Sequence, residues 1–326
     1  MIEILRSTGL TINNKDEVSS LIGSTLDAIS TEGHRKHGMR TESMFAYMAG
    51  ALGNCSLIKQ EDGSGICLVA NDKIKIPDYR IILKNNEIFF VEVKNCSDKK
   101  IVFKKDYIEG LKEYASINKN SLKIAIYWRK INMWSLISPD WFIFKNRKCE
   151  LRIGETLAKS EMALLDDRMI ATKAPLSLRL LADESKTSSF DSNGRCLFTV
   201  GDVQMFSAGN QIIDQVEKNM AFQFMLYSSW SEQERFEIVN DKIAYIEYLY
   251  TPEEIDEEQG FNMLGNISSI ISNKFNSSTV SENEVERLAP QGDPEKFEVF
   301  IPEDYKGIVL PLWQFILQPN MNYGSG

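Results

Sequence analysis

The sequence predicts an α/β fold for its first half, a mixed sheet between helices, followed by a less regular α+β half. Three observations predict it. Apolar residues recur at helical spacing in two early segments. A group of short strand-like runs follows, two of them joined by an Asn-rich turn. A further helix then leads into two more strand-like runs before residue 140.

In chain order, residues 15–30 place Val18, Leu21, Ile22, Leu26 and Ile29 on one helical face, ending near Gly33. Residues 41–52 form a second helix with Met44, Phe45, Met48 and Leu52 on one stripe. Strands are expected at 56–59, 65–69, 79–83 and 88–93. The last two flank Lys84-Asn85-Asn86-Glu87, which suits a tight hairpin. A three-residue loop there would pair Leu83 with Glu87 and bring Asp78 opposite Glu92. A two-residue loop would turn the two carboxylates to opposite faces. Residues 104–117 read as a helix with Tyr107, Ile108, Leu111 and Ala115 inward, and 122–127 and 133–137 as strands. Beyond residue 150 the reading is coarser. It gives helices at 158–165, 203–226 and 261–274, a strand at 242–249, an acidic loop at 251–260, and an apolar strand or helix at 307–317.

The chain has 326 residues, 43% hydrophobic and 25% charged, enough for two domains. Residues 1–150 hold 23 Lys+Arg against 18 Asp+Glu, while 151–326 hold 14 against 28. Dividing the chain at about residue 150, this contrast is compatible with a polyanion such as nucleic acid as partner for the basic half and a protein partner or second copy for the acidic half. No apolar run is long enough to span a bilayer and the first fourteen residues lack a signal-peptide pattern, so a cytoplasmic protein is expected. The five cysteines (Cys55, Cys67, Cys96, Cys149, Cys196) are scattered, as reduced structural thiols would be.

One stretch does not fit a purely structural strand. Ile88 to Val93 is strongly apolar, yet Glu92 interrupts it and Lys94 follows on the same face. Burying those charges unpaired would cost several kcal/mol each, roughly. Mutual neutralisation is one compensation. A divalent cation shared by Glu92 and Asp78 is another. Mg²⁺ suits such a pair, because it takes hard oxygen ligands from one or two carboxylates and from substrate phosphates.

Pro77-Asp78, thirteen intervening residues and then Glu92-Val93-Lys94 resemble the PD-(D/E)XK nuclease motif. The resemblance covers about residues 35–140. It implies a restriction-endonuclease-like or Holliday-junction-resolvase-like αβββαβ core with a mixed central sheet, plus a second α+β domain over 151–326. It also implies a Mg²⁺-dependent endonuclease, with Mn²⁺ able to stand in, that hydrolyses phosphodiester bonds of DNA and serves in restriction or defence against mobile elements. Asp78 and Glu92 would bind metal with the Val93 carbonyl, Lys94 would activate or orient water, and Glu42 would be a further ligand through water. Many members carry Gln or Lys in the next helix, some with a following Tyr. Here that region holds Lys104, Lys105, Tyr107, Lys112 and Tyr114, and no Gln.

Other residues fit less chemistry. His34 and His37 lack a third ligand nearby, so the run from His34 to Arg40 reads as a solvated basic loop. Trp128, Trp134 and Trp141 read as core. Lys99, Lys100, Lys104 and Lys105 form the best patch for a nucleic-acid backbone. The alternative to an enzyme is a catalytically inactive nuclease-fold protein that binds nucleic acid or a protein partner.

Overall fold

The computed structural model describes residues 33–61, 73–186, 190–240, 242–256, 258–281, 284–302 and 304–324, with isolated positions at 16, 20, 23 and 24. Apart from those isolated positions the expected helix at 15–30 lies outside the described residues, as do the strand at 65–69 and Cys67. The chain divides into two compact units. One comprises 1–167 with 274–298 and 317–326, the other 168–273 with 299–316. This partition differs from a single cut at residue 150, because two later segments return to the first unit.

The first unit begins with α1 (Gly33–Ala51), followed by β1 (Cys55–Gln60), β2 (Tyr79–Leu83) and β3 (Ile88–Cys96). Next come β4 (Lys100–Lys104), α2 (Lys105–Ile117), β5 (Ser121–Trp128), β6 (Met133–Ile137), β7 (Lys148–Arg152) and α3 (Ile153–Ala158). The main sheet has the order β1-β2-β3-β5-β6. It is mixed, since β3 and β5 run parallel and the other pairs antiparallel. A helical crossover through α2 joins the parallel pair, as such a connection requires. One face of the sheet packs Phe90, Leu122, Ile124 and Ile126 against Ile108, Leu111 and Ala115 of α2. On the α1 side, Phe45 meets Tyr79 and Trp134 with ring centroids 6.0 and 5.6 Å apart.

α1 starts at Gly33, so the basic run from His34 to Arg40 is helical rather than a solvated loop. Arg40 is buried, with Nε and Nη2 donating to Thr279 Oγ1 at 3.1 and 2.9 Å. Its guanidinium also lies over the Phe275 ring, which compensates the burial of its charge. Trp128 and Trp134 are core, as expected. Cys55, Cys96, Cys149 and Cys196 are free thiols.

β4 and β7 form a separate two-stranded ribbon that the sequence reading missed, pairing Lys100 with Arg152 and Lys104 with Lys148. Phe103, Cys149 and Leu151 point inward, while the lysines, Arg152 and Glu150 are exposed.

The second unit contains an antiparallel sheet of β9 (Leu176–Ala182), β10 (Val200–Ser207), β11 (Asn210–Ile212), β12 (Ser231–Val239) and β13 (Lys242–Thr251), ordered β11-β10-β9-β13-β12. α4 (Gln215–Tyr227) begins at Asp214, whose carboxylate accepts from the N–H groups of Val216 and Glu217. A three-stranded sheet orders β14 (Asn262–Asn266), β8 (Met169–Thr172) and β17 (Leu312–Phe315). α5 (Ile267–Thr279) follows β14, and after it β15 (Val280–Ser281) pairs with β16 (Glu284–Val285). The expected helix over 203–226 is therefore two strands and a shorter helix. The turn through Ala208 and Gly209, at φ 48° and 79°, stops any helix there and closes the hairpin. Likewise 261–266 is largely strand, with the helix delayed to Ile267. Among the described residues no helix is long and apolar enough to cross a membrane.

Candidate active site

The β2–β3 hairpin sets the site. Its register pairs Tyr79 with Val91, Arg80 with Phe90, Ile81 with Phe89 and Ile82 with Ile88. Leu83 N–H donates to the Glu87 carbonyl, closing a Lys84-Asn85-Asn86 loop in which Asn86 takes φ 67°. This is the three-residue loop with a left-handed Asn, a conformation Asn tolerates. Extending the register by one step brings Asp78 opposite Glu92.

Asp78 sits just before β2, where the backbone ladder ends. Its Oδ2 accepts from Val93 N–H at 2.6 Å, in place of a backbone carbonyl. In an antiparallel pair a residue's N–H and C=O face the same neighbour, so the Val93 carbonyl lies on this edge too. The Asp78 carboxyl is pushed up to about 8, first by burial and then by the charge of Glu92; Glu42 adds to the push, while the Val93 N–H and Lys94 oppose it. The two carboxylates are therefore mutually repulsive neighbours.

Glu92 is buried in the middle of β3. Its Oε1 takes hydrogen bonds from Lys94 Nζ and from the Tyr107 hydroxyl. Lys94 also donates to Tyr107 Oη at 3.1 Å, so Glu92, Lys94 and Tyr107 form a closed triangle. Burial alone lowers the Lys94 ammonium, but the negative Glu92 and the Tyr107 contact raise it more, keeping Lys94 charged. Of the five residues the sequence offered from the following helix and its approach, Tyr107 is the one in contact with the motif. Lys112 pairs with Asp140 at 2.8 Å, Lys105 with Glu109 at 3.4 Å, and Tyr114 donates to Glu61 at 2.5 Å. Lys104 lines a cleft of about 820 Å³ with Lys73, Lys75, Tyr107 and Arg147.

Glu42, on α1, is close enough to raise both Asp78 and the Tyr79 hydroxyl. Among the described residues no group of three or more His, Cys, Asp or Glu side chains is arranged to hold a metal ion. The donors gathered here are two carboxylates and one carbonyl. That set fits Mg²⁺, which keeps several waters and is completed by substrate phosphate. The raised Asp78 carboxyl is the supporting observation, because a cation at this point offsets both the burial and the Glu92 repulsion that raise it.

Residues 67–168 match the family model described as archaeal Holliday junction resolvase (Hjc). The chain carries a PD-(D/E)XK nuclease-superfamily segment. It includes Asp78, Glu92, Val93, Lys94 and Tyr107, whereas Glu42 lies outside the matched residues. A solved Holliday junction resolvase, Hjc from Archaeoglobus fulgidus, aligns over 40% of this chain and 96% of its own length, with 14% identity and a TM-score of 0.32. No curated protein matches the chain.

One cluster beside the nuclease-superfamily motif carried no sequence signal beyond a turn. Glu61 N–H donates to the Asp78 carbonyl at 2.8 Å. The Glu61 carboxylate meets Arg80 at 2.9 Å and Lys59 at 3.5 Å, and Arg80 lies over the Phe90 ring. This network anchors the backbone that presents Asp78. Of the four lysines expected to meet nucleic acid, Lys100 sits against Glu150 at 2.8 Å, and Lys99 and Lys100 line a cleft of about 630 Å³ with Lys130 and Arg152.

Proposed function

We propose that the chain is a metal-dependent endonuclease of DNA, and that Asp78, Glu92 and Lys94 carry its chemistry. The observation that supports this most is the pairing of Asp78 with Glu92 beside Val93, with Lys94 held charged at the same point. A divalent cation held by Asp78, Glu92 and the Val93 carbonyl, with Glu42 as a water-mediated ligand, would supply Lewis acidity and lower the pKa of a water. Lys94 orients that water and meets the charge that develops on the phosphate. Tyr107 holds Glu92 and Lys94 in one rotamer each. Mg²⁺ is the expected ion and Mn²⁺ a working substitute. A role in restriction or defence against mobile elements follows the habits of the superfamily.

The basic ribbon supports a polyanionic substrate. Lys99, Lys100, Lys104 and Lys105, joined by Arg147, Lys148 and Arg152, border the strand that follows the motif. Contacts of this kind fix a duplex by its phosphates without reading sequence. A nuclease-fold protein that binds DNA without cutting it is the second reading. It is favoured by Glu92 Oε1 being engaged by both Lys94 and Tyr107.

The deciding experiment incubates the chain with plasmid, linear duplex, a four-way DNA junction and RNA, in Mg²⁺, Mn²⁺ or chelator. Cleavage of DNA that needs the metal and is lost in both Asp78→Asn and Glu92→Gln is the expected result. Binding without cleavage under all conditions selects the second reading. Cleavage that persists in chelator, or in both variants, overturns the site.

A further inference from the structure

The second unit carries an aromatic cleft unrelated to the nuclease chemistry. In the sheet of β8, β14 and β17 the register aligns Met263 and Trp313 on either side of Ala171. Trp313 stacks on Phe261 with centroids 4.1 Å apart and planes within 6°, and Phe315 meets Trp313 edge-on at 6.2 Å. Met263, Trp313 and Phe315 are 42%, 42% and 40% exposed. They border a cleft of about 600 Å³ whose other wall includes Glu253, Glu254 and Asp256. That rim is built rather than random. Asp256 N–H donates to Asn262 Oδ1 at 2.8 Å, and its carboxylate accepts from Gln259 N–H at 2.9 Å.

The charge of the unit reinforces the rim, with nine Lys+Arg against eighteen Asp+Glu. Exposed aromatic clusters of this kind mark interaction sites on soluble proteins. An aromatic face beside carboxylates is the chemistry that recognises a planar cation. A guanidinium stacks on aromatic rings and takes bidentate hydrogen bonds from a carboxylate. A phosphate-bearing ligand is repelled by the same rim. A free polyamine would satisfy the carboxylates but would leave the apolar Met263 and Phe315 uncovered.

We infer that this cleft docks an arginine-bearing peptide segment of a partner protein, the guanidinium resting on the Phe261–Trp313 pair and its charge met by Glu253 and Glu254. The test titrates the full chain calorimetrically with a short Arg-Ala repeat peptide, its Lys and citrulline counterparts, and spermine. The Arg peptide should bind best and the citrulline peptide at least about ten-fold more weakly. Trp313→Ala and Glu253→Gln/Glu254→Gln should each weaken binding by a similar factor. Trp313→Phe, which keeps an aromatic face, should retain most of it. Glu234→Gln/Glu237→Gln on β12 removes equal charge elsewhere and should change nothing. Thermal melts show whether Trp313→Ala is folded, and the paired Gln variant decides the matter if it is not. Equal binding of the citrulline peptide, equal binding of spermine, or indifference to both cleft variants overturns the inference.

Discussion

Asp78 is a carboxylate that the fold keeps at a loss. Its carboxyl is pushed from 3.8 up to about 8 by burial and by Glu92. Between those two values the folded chain holds a proton that the unfolded chain has given up. Stability of the metal-free protein therefore falls as pH rises from about 4 to about 8. Asp78→Asn should flatten that slope and raise the melting temperature near pH 8 in chelator, while abolishing cleavage. Adding Mg²⁺ at pH 8 should stabilise the wild type and leave the variant unmoved. A wild-type melting temperature that does not drop across this window in chelator refutes the account. Tyr107 makes a different case. Its hydroxyl touches Glu92 and Lys94. Tyr107→Phe removes one hydrogen bond to a buried carboxylate, worth about 1.5–3 kcal/mol. The catalytic rate should fall more than ten-fold if Tyr107 positions the pair, with DNA affinity little changed; an equal loss of affinity would assign it to binding instead. The motif residues were legible because a charge pair inside an apolar strand demands an explanation. Glu61 was not, since nothing in a turn sequence says that its N–H will hold the Asp78 carbonyl.

Elements joined by local signals were readable, and those held by distant partners were not. The β2–β3 hairpin could be placed to the residue because loop length and the apolar pattern agree on one register. The β4–β7 ribbon escaped notice because its strands lie more than forty residues apart and one is mostly charged. In the second unit, β12 carries Glu232, Glu234, Arg235 and Glu237, and only its pairing with β13 makes it a strand. The helix α2 holds a further consequence. Gly110 sits mid-helix, where alanine would ordinarily be favoured by about 1 kcal/mol. Its carbonyl accepts from Lys75 N–H at 3.1 Å, and a Cβ here would meet the Lys73 carbonyl oxygen at 2.4 Å. The glycine lets the segment leading to Asp78 lie directly on the helix. Gly110→Ala should therefore lower stability and DNA cleavage together, against its helix propensity. A more stable and fully active variant would show that this approach has no role in presenting Asp78.

At the scale of the molecule, the nuclease-superfamily segment is not a free-standing piece of sequence. A cut at residue 150 runs through β7, separating Leu151 and Arg152 from their partners Ile101 and Lys100. It also removes the returning segment 274–298, which the partition places in the same unit. That segment covers α1. Tyr47 packs edge-on against Phe275 at 5.7 Å and Phe297 at 5.5 Å, and donates to the Gly292 carbonyl at 2.8 Å. Gly50 admits Pro294 so closely that a Cβ would stand 2.8 Å from its ring. Arg40 would be left with a guanidinium desolvated on one side and no Thr279 to receive it. The same helix packs Phe45 on Tyr79 and brings Glu42 toward Asp78, so loss of its cover reaches the site. A fragment of residues 1–150 should thus melt well below the full chain and show little of the proposed DNA cleavage. Within the full chain, Tyr47→Ala should cost about 2–3 kcal/mol, the range for truncating a well-packed aromatic that keeps some solvent contact. Calorimetry of the fragment, the variant and the full chain separates the outcomes. If the fragment melts cooperatively at the full-chain temperature, segment 274–298 is an ornament on α1 and not part of the unit that holds the site.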